Sequence, residues 1–342
     1  MTESHVLQGQ RQLPDPSSLM QLSTAYWDAQ TLLTANRMRL FDQLSKGSMT
    51  AAAVASALAT APRHTLLFLR ACVALGLLVE AGNEFSNSDL SEQYLVAGKS
   101  TYLGDAFRYS DDLYQTWGQL EQSLKEGVPP LRAESYLGDD ADRTRHFVYG
   151  MHNRALGIGR ALVELLDLAG RKRMLDVGGG PGTYSALLTG RFKGLQSQVI
   201  ELPGVAEIAR EILASMDATG QVSMLPGNYY ETPFPEGNDV VLISGVFHRE
   251  TEGSCRDLIA RAAASLVSGG LLIVSDVFTG AGGAEPPFAA LFGLNMMLTA
   301  PDGGVHADTD VAAWMEAAGL QATGIRQFPP PMPHRLVQGM KP

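Results

Sequence analysis

The run Arg173-Met174-Leu175-Asp176-Val177-Gly178-Gly179-Gly180-Pro181-Gly182-Thr183-Tyr184 leaves this chain few folds to choose from. A short apolar stretch meets a glycine-rich turn, and a helix is predicted to begin near Thr183. Glycine takes up φ > 0 without a Cβ clash and lets backbone approach a bound group closely. The helix start beyond it offers unpaired N–H groups. A strand, a glycine turn and a helix in that order make the geometry of a nucleotide-type cofactor site on a parallel sheet. The spacing is nearer G-x-G-x-G than the dinucleotide fingerprint G-x-G-x-x-G. Asp176 precedes the turn, and the next apolar run, Gln198-Val199-Ile200-Glu201, ends in a second acid. An acid at the end of a second strand can accept hydrogen bonds from both hydroxyls of a ribose.

Downstream, strand and helix alternate. Helix Gly204–Met216 opens on Pro203, which suits a first helical turn. Strand Val222–Leu225 leads into Gly227-Asn228-Tyr229-Tyr230, and strand Val240–Ile243 into Ser244–Glu250. Helix Gly253–Leu266 and strand Leu271–Val274 follow, and Gln321–Arg326 with Arg335–Met340 reads as a closing strand pair. Alternation at this pitch predicts βαβ units, a parallel sheet and an α/β fold. Ligands of such sheets collect beyond the carboxyl ends of the strands. Here those ends deliver residues 176–182, Glu201, Asn228 to Tyr230, Ser244 to His248 and Ser275-Asp276.

Ahead of the glycine turn the chain is mainly helical. Residues 1–18 are polar, with Pro14 and Pro16, and are expected to form a flexible arm. Leu19–Leu44, Thr50–Ala59 and Arg63–Gly76 carry helical patterns. Leu77 to Glu80, a Gly82-Asn83 turn and Phe85-Ser86 add a β-wing, so the module reads as a winged helix. Residues 101–126 form an aromatic-rich helical stretch containing Trp117, residues 127–138 a loop, and residues 139–169 a long helix entering the second domain. A winged helix can read DNA, but a reader needs a basic recognition helix. The run Thr65 to Val73 is apolar almost throughout, and residues 1–95 hold six Lys/Arg against eight Asp/Glu. The phosphate attraction that dominates DNA affinity is missing. Burial of these helices against a partner subunit is the better reading.

At 342 residues the chain has room for two domains, and its net charge of −10 argues against nucleic acid or an anionic membrane as partner. No apolar run reaches the ~20 residues of a membrane helix. Residues 1–16 have no signal-peptide core, and Cys72 and Cys255 lie in apolar helical patterns, so a cytoplasmic location is expected. The histidines show no H-x-x-x-H or C-x-x-C spacing, and no metal is expected.

Asp176-Val177-Gly178-Gly179-Gly180-Pro181-Gly182 resembles the first motif of class I S-adenosylmethionine (SAM) methyltransferases. More narrowly, the chain is similar, from about Leu19 to its end, to the O-methyltransferases of small aromatic natural products. The resemblance implies a Rossmann-like, seven-stranded SAM domain over residues 139–342, a winged-helix dimerisation domain over 19–138, and a homodimer. It implies cofactor contacts at Asp176, Gly178, Gly180, Gly182, Glu201, Leu202, Asn228, Tyr229 and Ser244. Asn228 stands where the family usually has an aspartate. In the family a histidine after the fourth strand is the general base, and His248 matches it. A phenol of pKa near 10 is mostly neutral at pH 7, so an imidazole base of pKa near 6.5 suits the task. The family orients that histidine with an acid on a Gly-Gly-x-Glu-Arg-type segment. Here that segment reads Gly303-Gly304-Val305-His306-Ala307-Asp308, with His306 near the acid's place, so the partner of His248 stays open. Phe147, Met151, Arg249, Phe292, Asn295, Met296 and His306 are the expected acceptor contacts, forming an apolar slot for a flat ring. Methyl transfer to carbon or nitrogen, with or without a metal, and a catalytically idle SAM-binding regulator are the rival readings.

Overall fold

The structure, a computed structural model, describes residues 14–99, 101–131, 140–330 and 332–342. Most of the expected arm, residues 1–13, and the end of the expected loop at 132–138 lie outside the described residues. Chain contacts divide the molecule into two compact units, Met1–Ser100 and Thr101–Pro342.

In the first unit the helical stretch from Leu19 to Leu44 is three helices, α1 (Ser17–Thr24), α2 (Tyr26–Arg37) and α3 (Leu40–Leu44). The break before α3 has a local cause. Arg39 takes a left-handed φ of 57°, while Met38 and Arg39 donate to the carbonyls of Thr34 and Asn36 to close α2. Strand β1 (Met49–Thr50) precedes α4 (Ala51–Ala57), whose first turn is capped by the Thr50 hydroxyl accepting from the Ala53 N–H. Helix α5 (Pro62–Ala74) starts on its proline and buries Thr65, Leu69 and Cys72, one stripe at helical spacing. The wing is β2 (Leu78–Ala81) paired antiparallel with β3 (Glu84–Asn87). β1 adds to the free edge of β3, a strand too short to leave a period-2 signal in the sequence. Helix α6 (Asp89–Tyr94) closes the unit. Its core is Leu40, Phe41, Val54, Leu69 and Phe85, whereas α1 buries nothing and leaves Leu19, Met20 and Leu22 exposed beside Tyr26 and Trp27 of α2.

The second unit opens with α7 (Gly104–Trp117), α8 (Leu120–Glu126) and α9 (Ala141–Leu165). Residues 101–126 bend at Gly118-Gln119, and α7 packs along α9, which places it in this unit. The sheet elements are β4 (Arg173–Val177), α10 (Thr183–Arg191), β5 (Gln196–Glu201), α11 (Pro203–Ser215), β6 (Val222–Pro226), β7 (Asn238–Ser244), α12 (Glu252–Ser265), β8 (Leu266–Asp276), α13 (Pro287–Met297), α14 (Asp308–Ala317), β9 (Gln321–Gln327) and β10 (Arg335–Met340). Seven strands lie in the order β6-β5-β4-β7-β8-β10-β9, and β10 runs antiparallel to both its neighbours. β8 is longer than the apolar run Leu271–Val274 announces. It continues through Gly269-Gly270 to pair with Asn238, with a register shift between Asn238 and Val240.

Successive side chains of a strand point to opposite faces. Val241, Ile243, Leu272 and Val274 therefore pack under α12 and α14, in a cluster that includes Leu258, Ile259 and Trp314. Val240, Leu242 and Ile273 pack under α9 and α10 with Leu162, Leu188, Phe328 and Leu336. Both faces are covered, as a parallel sheet requires. The switch point lies at β4, where β5 pairs on one side and β7 on the other.

Candidate active site

At the end of β4 the turn bends under its neighbours. Gly178 takes φ 66°, and its N–H donates to the Ile200 carbonyl at 2.9 Å. A Cβ built there would meet Val246 Cγ2 at 2.8 Å and the Tyr229 ring at 3.4 Å, so the two loops that follow β6 and β7 close over it. Gly180, at φ 54°, faces open space, and its N–H donates to Glu201 Oε2 at 2.8 Å. The other Glu201 oxygen accepts from the Leu202 N–H at 2.8 Å. Burial raises the Glu201 carboxyl; the Leu202 and Gly180 amides and the Arg249 charge oppose it.

Asp176 sits beneath the turn rather than on its surface. It is fully buried and accepts from the Ser185 hydroxyl at 2.6 Å, while its Oδ1 has no partner among the described residues. Burial lifts this carboxyl from 3.8 to about 7, against the Ser185 bond and helped by the Glu201 charge. Between those values the folded chain holds a proton that the unfolded chain releases, so stability falls as pH rises through this window. The cofactor-free Asp176→Asn variant is therefore expected to gain melting temperature relative to wild type on going from about pH 5 to about pH 8. An equal offset at the two pH values in thermal denaturation would show that the carboxyl is already ionised in the folded state.

After β6, Asn228 spends its side-chain oxygen on the Tyr230 N–H, at 3.0 Å, and so shapes its own turn. That turn sets Tyr229 against the glycine loop. The Tyr229 hydroxyl donates to Glu250 Oε1 at 2.6 Å, and the Tyr230 hydroxyl donates to Glu250 Oε2. Burial, then the Glu250 charge, pushes the Tyr229 phenol well above its usual range. Glu250 is itself buried, and this double clamp left no signal in the sequence, because residues 229–230 and 250 meet only across the sheet end.

After β7 the chain makes a 3₁₀ turn, Phe247–Arg249, that buries Phe247 and brings His248 back over the sheet. His248 Nδ1 lies 2.7 Å from Asp276 Oδ1, and the His248 N–H donates to Asp276 Oδ2 at 3.3 Å. Asp276 ends β8 and keeps 2% of its side chain exposed, against 15% for His248. Burial pulls the Asp276 carboxyl upward, but the His248 imidazole and the Val277 amide outweigh it, and the carboxyl ends below its ordinary value. The acid beside His248 thus comes from the end of β8, not from residues 303–308. That segment contributes backbone, the Gly304 N–H donating to the His248 carbonyl at 3.0 Å. His306 instead bonds the Glu250 carbonyl through Nε2 at 2.9 Å and stands edge-on to Trp314. Strand order, invisible in the sequence, is what puts Asp276 beside the loop after β7.

Phe292 of α13 meets the His248 ring edge-on at 5.1 Å between centroids and stacks on Phe288. Asn295, one turn later, accepts from the Trp117 indole N–H at 2.9 Å, joining α13 to α7, while Met296 is buried. Phe147 packs with Val148, Val205 and Ile208, beside α11, and Met151 lies half-buried one turn further along α9. Arg249 is half-buried, and its charge acts on Glu201 and Tyr229, which places it toward the glycine turn. Ser244 lies beside the Tyr184 phenol. Among the described residues no group of three or more His, Cys, Asp or Glu could hold a metal ion, and no helix is long and apolar enough to cross a membrane.

The surface above Gly180 is open, with backbone amides and the Glu201 carboxylate at its edge and the Tyr229 ring as a wall. This donor, acceptor and aromatic set fits a nucleoside carrying an amino-acid chain. Residues 20–97 match the O-methyltransferase dimerisation domain, and residues 113–321 match the O-methyltransferase domain. The 3-hydroxy-5-methyl-1-naphthoate 3-O-methyltransferase of Streptomyces sahachiroi is 28% identical over 333 residues, 95% of each chain. A solved O-methyltransferase family protein from Burkholderia thailandensis superposes with a TM-score of 0.86 at 26% identity, over 96% of this chain and 98% of that one. Human N-acetylserotonin methyltransferase in complex with SAM shares the fold, with a TM-score of 0.86 at 22% identity over 98% and 99% of the two chains. With that match spanning most of the second unit and the site it contains, the chain belongs to the SAM-dependent O-methyltransferase family and carries its dimerisation domain.

Proposed function

We propose that this protein methylates a hydroxyl of a small aromatic metabolite, with His248 taking the acceptor's proton. The observation that carries this reading is the pair His248–Asp276 at the sheet's carboxyl end, one loop from the glycine turn and against the Phe292 ring. A carboxylate on Nδ1 keeps the proton of the neutral ring on that nitrogen and leaves the Nε2 lone pair for the acceptor. No described residue bonds His248 Nε2. SAM, when bound, supplies a methyl group on a positively charged sulfur. Gly178, Gly180, Gly182, Glu201, Leu202 and Tyr229 would hold it, with Asn228 setting the turn and Arg249 balancing Glu201. Phe292, Met296 and the Trp117–Asn295 bridge wall the acceptor side, holding a flat ring and excluding water. Holding the reactants aligned is itself a large part of such catalysis. The Streptomyces sahachiroi relative, named for a hydroxylated naphthoate, supports an aromatic acceptor. We also infer a homodimer from the exposed Leu19, Met20, Leu22, Tyr26 and Trp27 in a matched dimerisation domain. Sedimentation at the mass of one chain, 36.6 kDa, would remove that inference.

The test is incubation with methyl-¹³C SAM and a panel of naphthols, catechols and hydroxybenzoates, with the product read by NMR. A labelled carbon at methoxy shift supports the proposal. A label bound to ring carbon or to nitrogen replaces it with the corresponding rival, and no turnover in protein that binds S-adenosylhomocysteine (SAH) favours a non-catalytic binder.

A further inference from the structure

One polar cluster beside His248 plays no part in the mechanism above. It lies on the α9–α10 side of the sheet, above the apolar layer. Val240, Leu242 and Ile273 point to that side, so by strand alternation Ser244 and Ser275, paired in register, extend the same rows beyond the core. The Ser275 hydroxyl is buried and has no partner among the described residues. On the next strand Leu336 pairs with Ser275 and belongs to the same apolar layer, so His334, two residues earlier, rises on that face too. Its ring stands 5.7 Å from Phe328, and its Nδ1 is buried without a partner among the described residues. Along α9, Ile158, Ala161, Leu162 and Leu165 face the sheet, and Arg154 is one turn before Ile158 in that stripe. Tyr184 of α10 lies under Gly159, where a Cβ would come within 2.9 Å of its ring. Arg154, Ser275 and His334 thus stand on neighbouring elements at one end of this layer, with Tyr184 and Ser244 beside them.

The chemistry of that cluster is one-sided. Arg154 is half-buried and has no hydrogen bond or ion pair among the described residues. Its charge acts on both Tyr184 and His334. Burial holds the His334 imidazole down to about 4, so it is neutral at ordinary pH and has one N–H to give. Asp276, whose charge acts on both Tyr184 and His334, is committed to His248 and to the Val277 N–H at 2.7 Å. The Arg154 guanidinium, the Ser275 hydroxyl and His334 Nδ1 thus lie in one region, each without a hydrogen-bond partner among the described residues. Buried donors left in that state cost stability, and a carboxylate is the ligand that matches an arginine fork with flanking donors.

We propose that Arg154, Ser275 and His334 form a carboxylate-binding cup beside His248, and that the acceptor is a hydroxylated aromatic acid. This rests on the methyl-transfer reading above. SAM also carries a carboxylate; Ser275 ends β8 and His334 precedes β10, both beyond β7 from the glycine turn, whereas Tyr184 follows that turn by two residues, so the two carboxylates must be told apart by titration. Calorimetry on the full-length protein separates the two sources. Wild type and Arg154→Gln are titrated with SAH, with 5′-methylthioadenosine, which lacks the amino acid, and, in saturating SAH, with a hydroxynaphthoic acid and the naphthol of the same ring. Wild type is expected to bind the acid more tightly than the naphthol. Arg154→Gln is expected to weaken the acid by about 10–100-fold, the range of a charged hydrogen-bonding partner, and to leave the naphthol and SAH unchanged. Ser275→Ala, a milder change, is expected to weaken the acid alone, by a few-fold. Equal affinity of wild type for acid and naphthol overturns the proposal. So does an Arg154→Gln protein that loses SAH affinity but keeps that for methylthioadenosine, which assigns the cup to the cofactor. Failure of the methyl-transfer reading shows separately, as no labelled methoxy product from any acceptor.

Discussion

Replacing His248 by alanine is expected to lower kcat by roughly 10²–10⁴-fold, the worth of a positioned general base, with SAH affinity unchanged. The reason is geometric. His248 belongs to the loop after β7 and meets Asp276 and Phe292, whereas the surface proposed for the cofactor is built by the ends of β4, β5 and β6. Removing the ring should therefore touch proton transfer and spare binding. Asp276→Asn is the companion variant. An amide in place of the carboxylate can offer N–H to Nδ1, which favours the tautomer with its proton on Nε2, the wrong one for a base. It should lower kcat in the same direction while leaving the His248 ring in place. Steady-state rates with SAH titrations on the same preparations check both. An unchanged rate in His248→Ala would remove this residue from the mechanism. A large loss of SAH affinity would instead make it part of the cofactor site.

The second large effect is expected at Glu201. Its carboxylate takes the Gly180 and Leu202 amides, one on each oxygen, at the edge of the open surface. Glu201→Ala strands both buried donors and removes the acceptor that a ribose needs. SAH affinity should fall by about 1–3 kcal/mol, the cost of leaving buried partners unsatisfied, which is roughly 5–150-fold. Glu201→Gln keeps one acceptor oxygen and should lose less. Calorimetric titration of wild type and the two variants reads this directly. Equal affinity in all three would mean that Glu201 serves only to brace the glycine turn.

Much of the scaffold is legible in the sequence alone. The glycine turn, the strand–helix alternation and the closing strand pair name the fold class, because parallel strands buried on both faces are apolar runs and their spacing reports the crossovers. Helix ends were legible where a cap or proline marks them, as at Thr50, Pro62 and Pro203. They were not where the break is a backbone turn at Arg39 or at Gly118-Gln119, or where a two-residue strand pairs with the wing. Glu201 was marked by its place at the end of an apolar run, and His248 by its match to the position of the family's histidine after the fourth strand; both roles remain proposed.

Their partners could not be named. The Asp276 that meets His248, the Glu250 that holds two tyrosines, and the Arg154, Ser275 and His334 of the proposed anion site come from elements far apart in the chain. Local pattern therefore determined which segments are strands, which are helices and where the glycine turn lies. Strand order and register decided which side chains meet. A sheet that places β8 beside β7, and β10 antiparallel beside β8, juxtaposes residues that sequence spacing leaves unrelated, and the proposed proton transfer and anion binding depend on those juxtapositions.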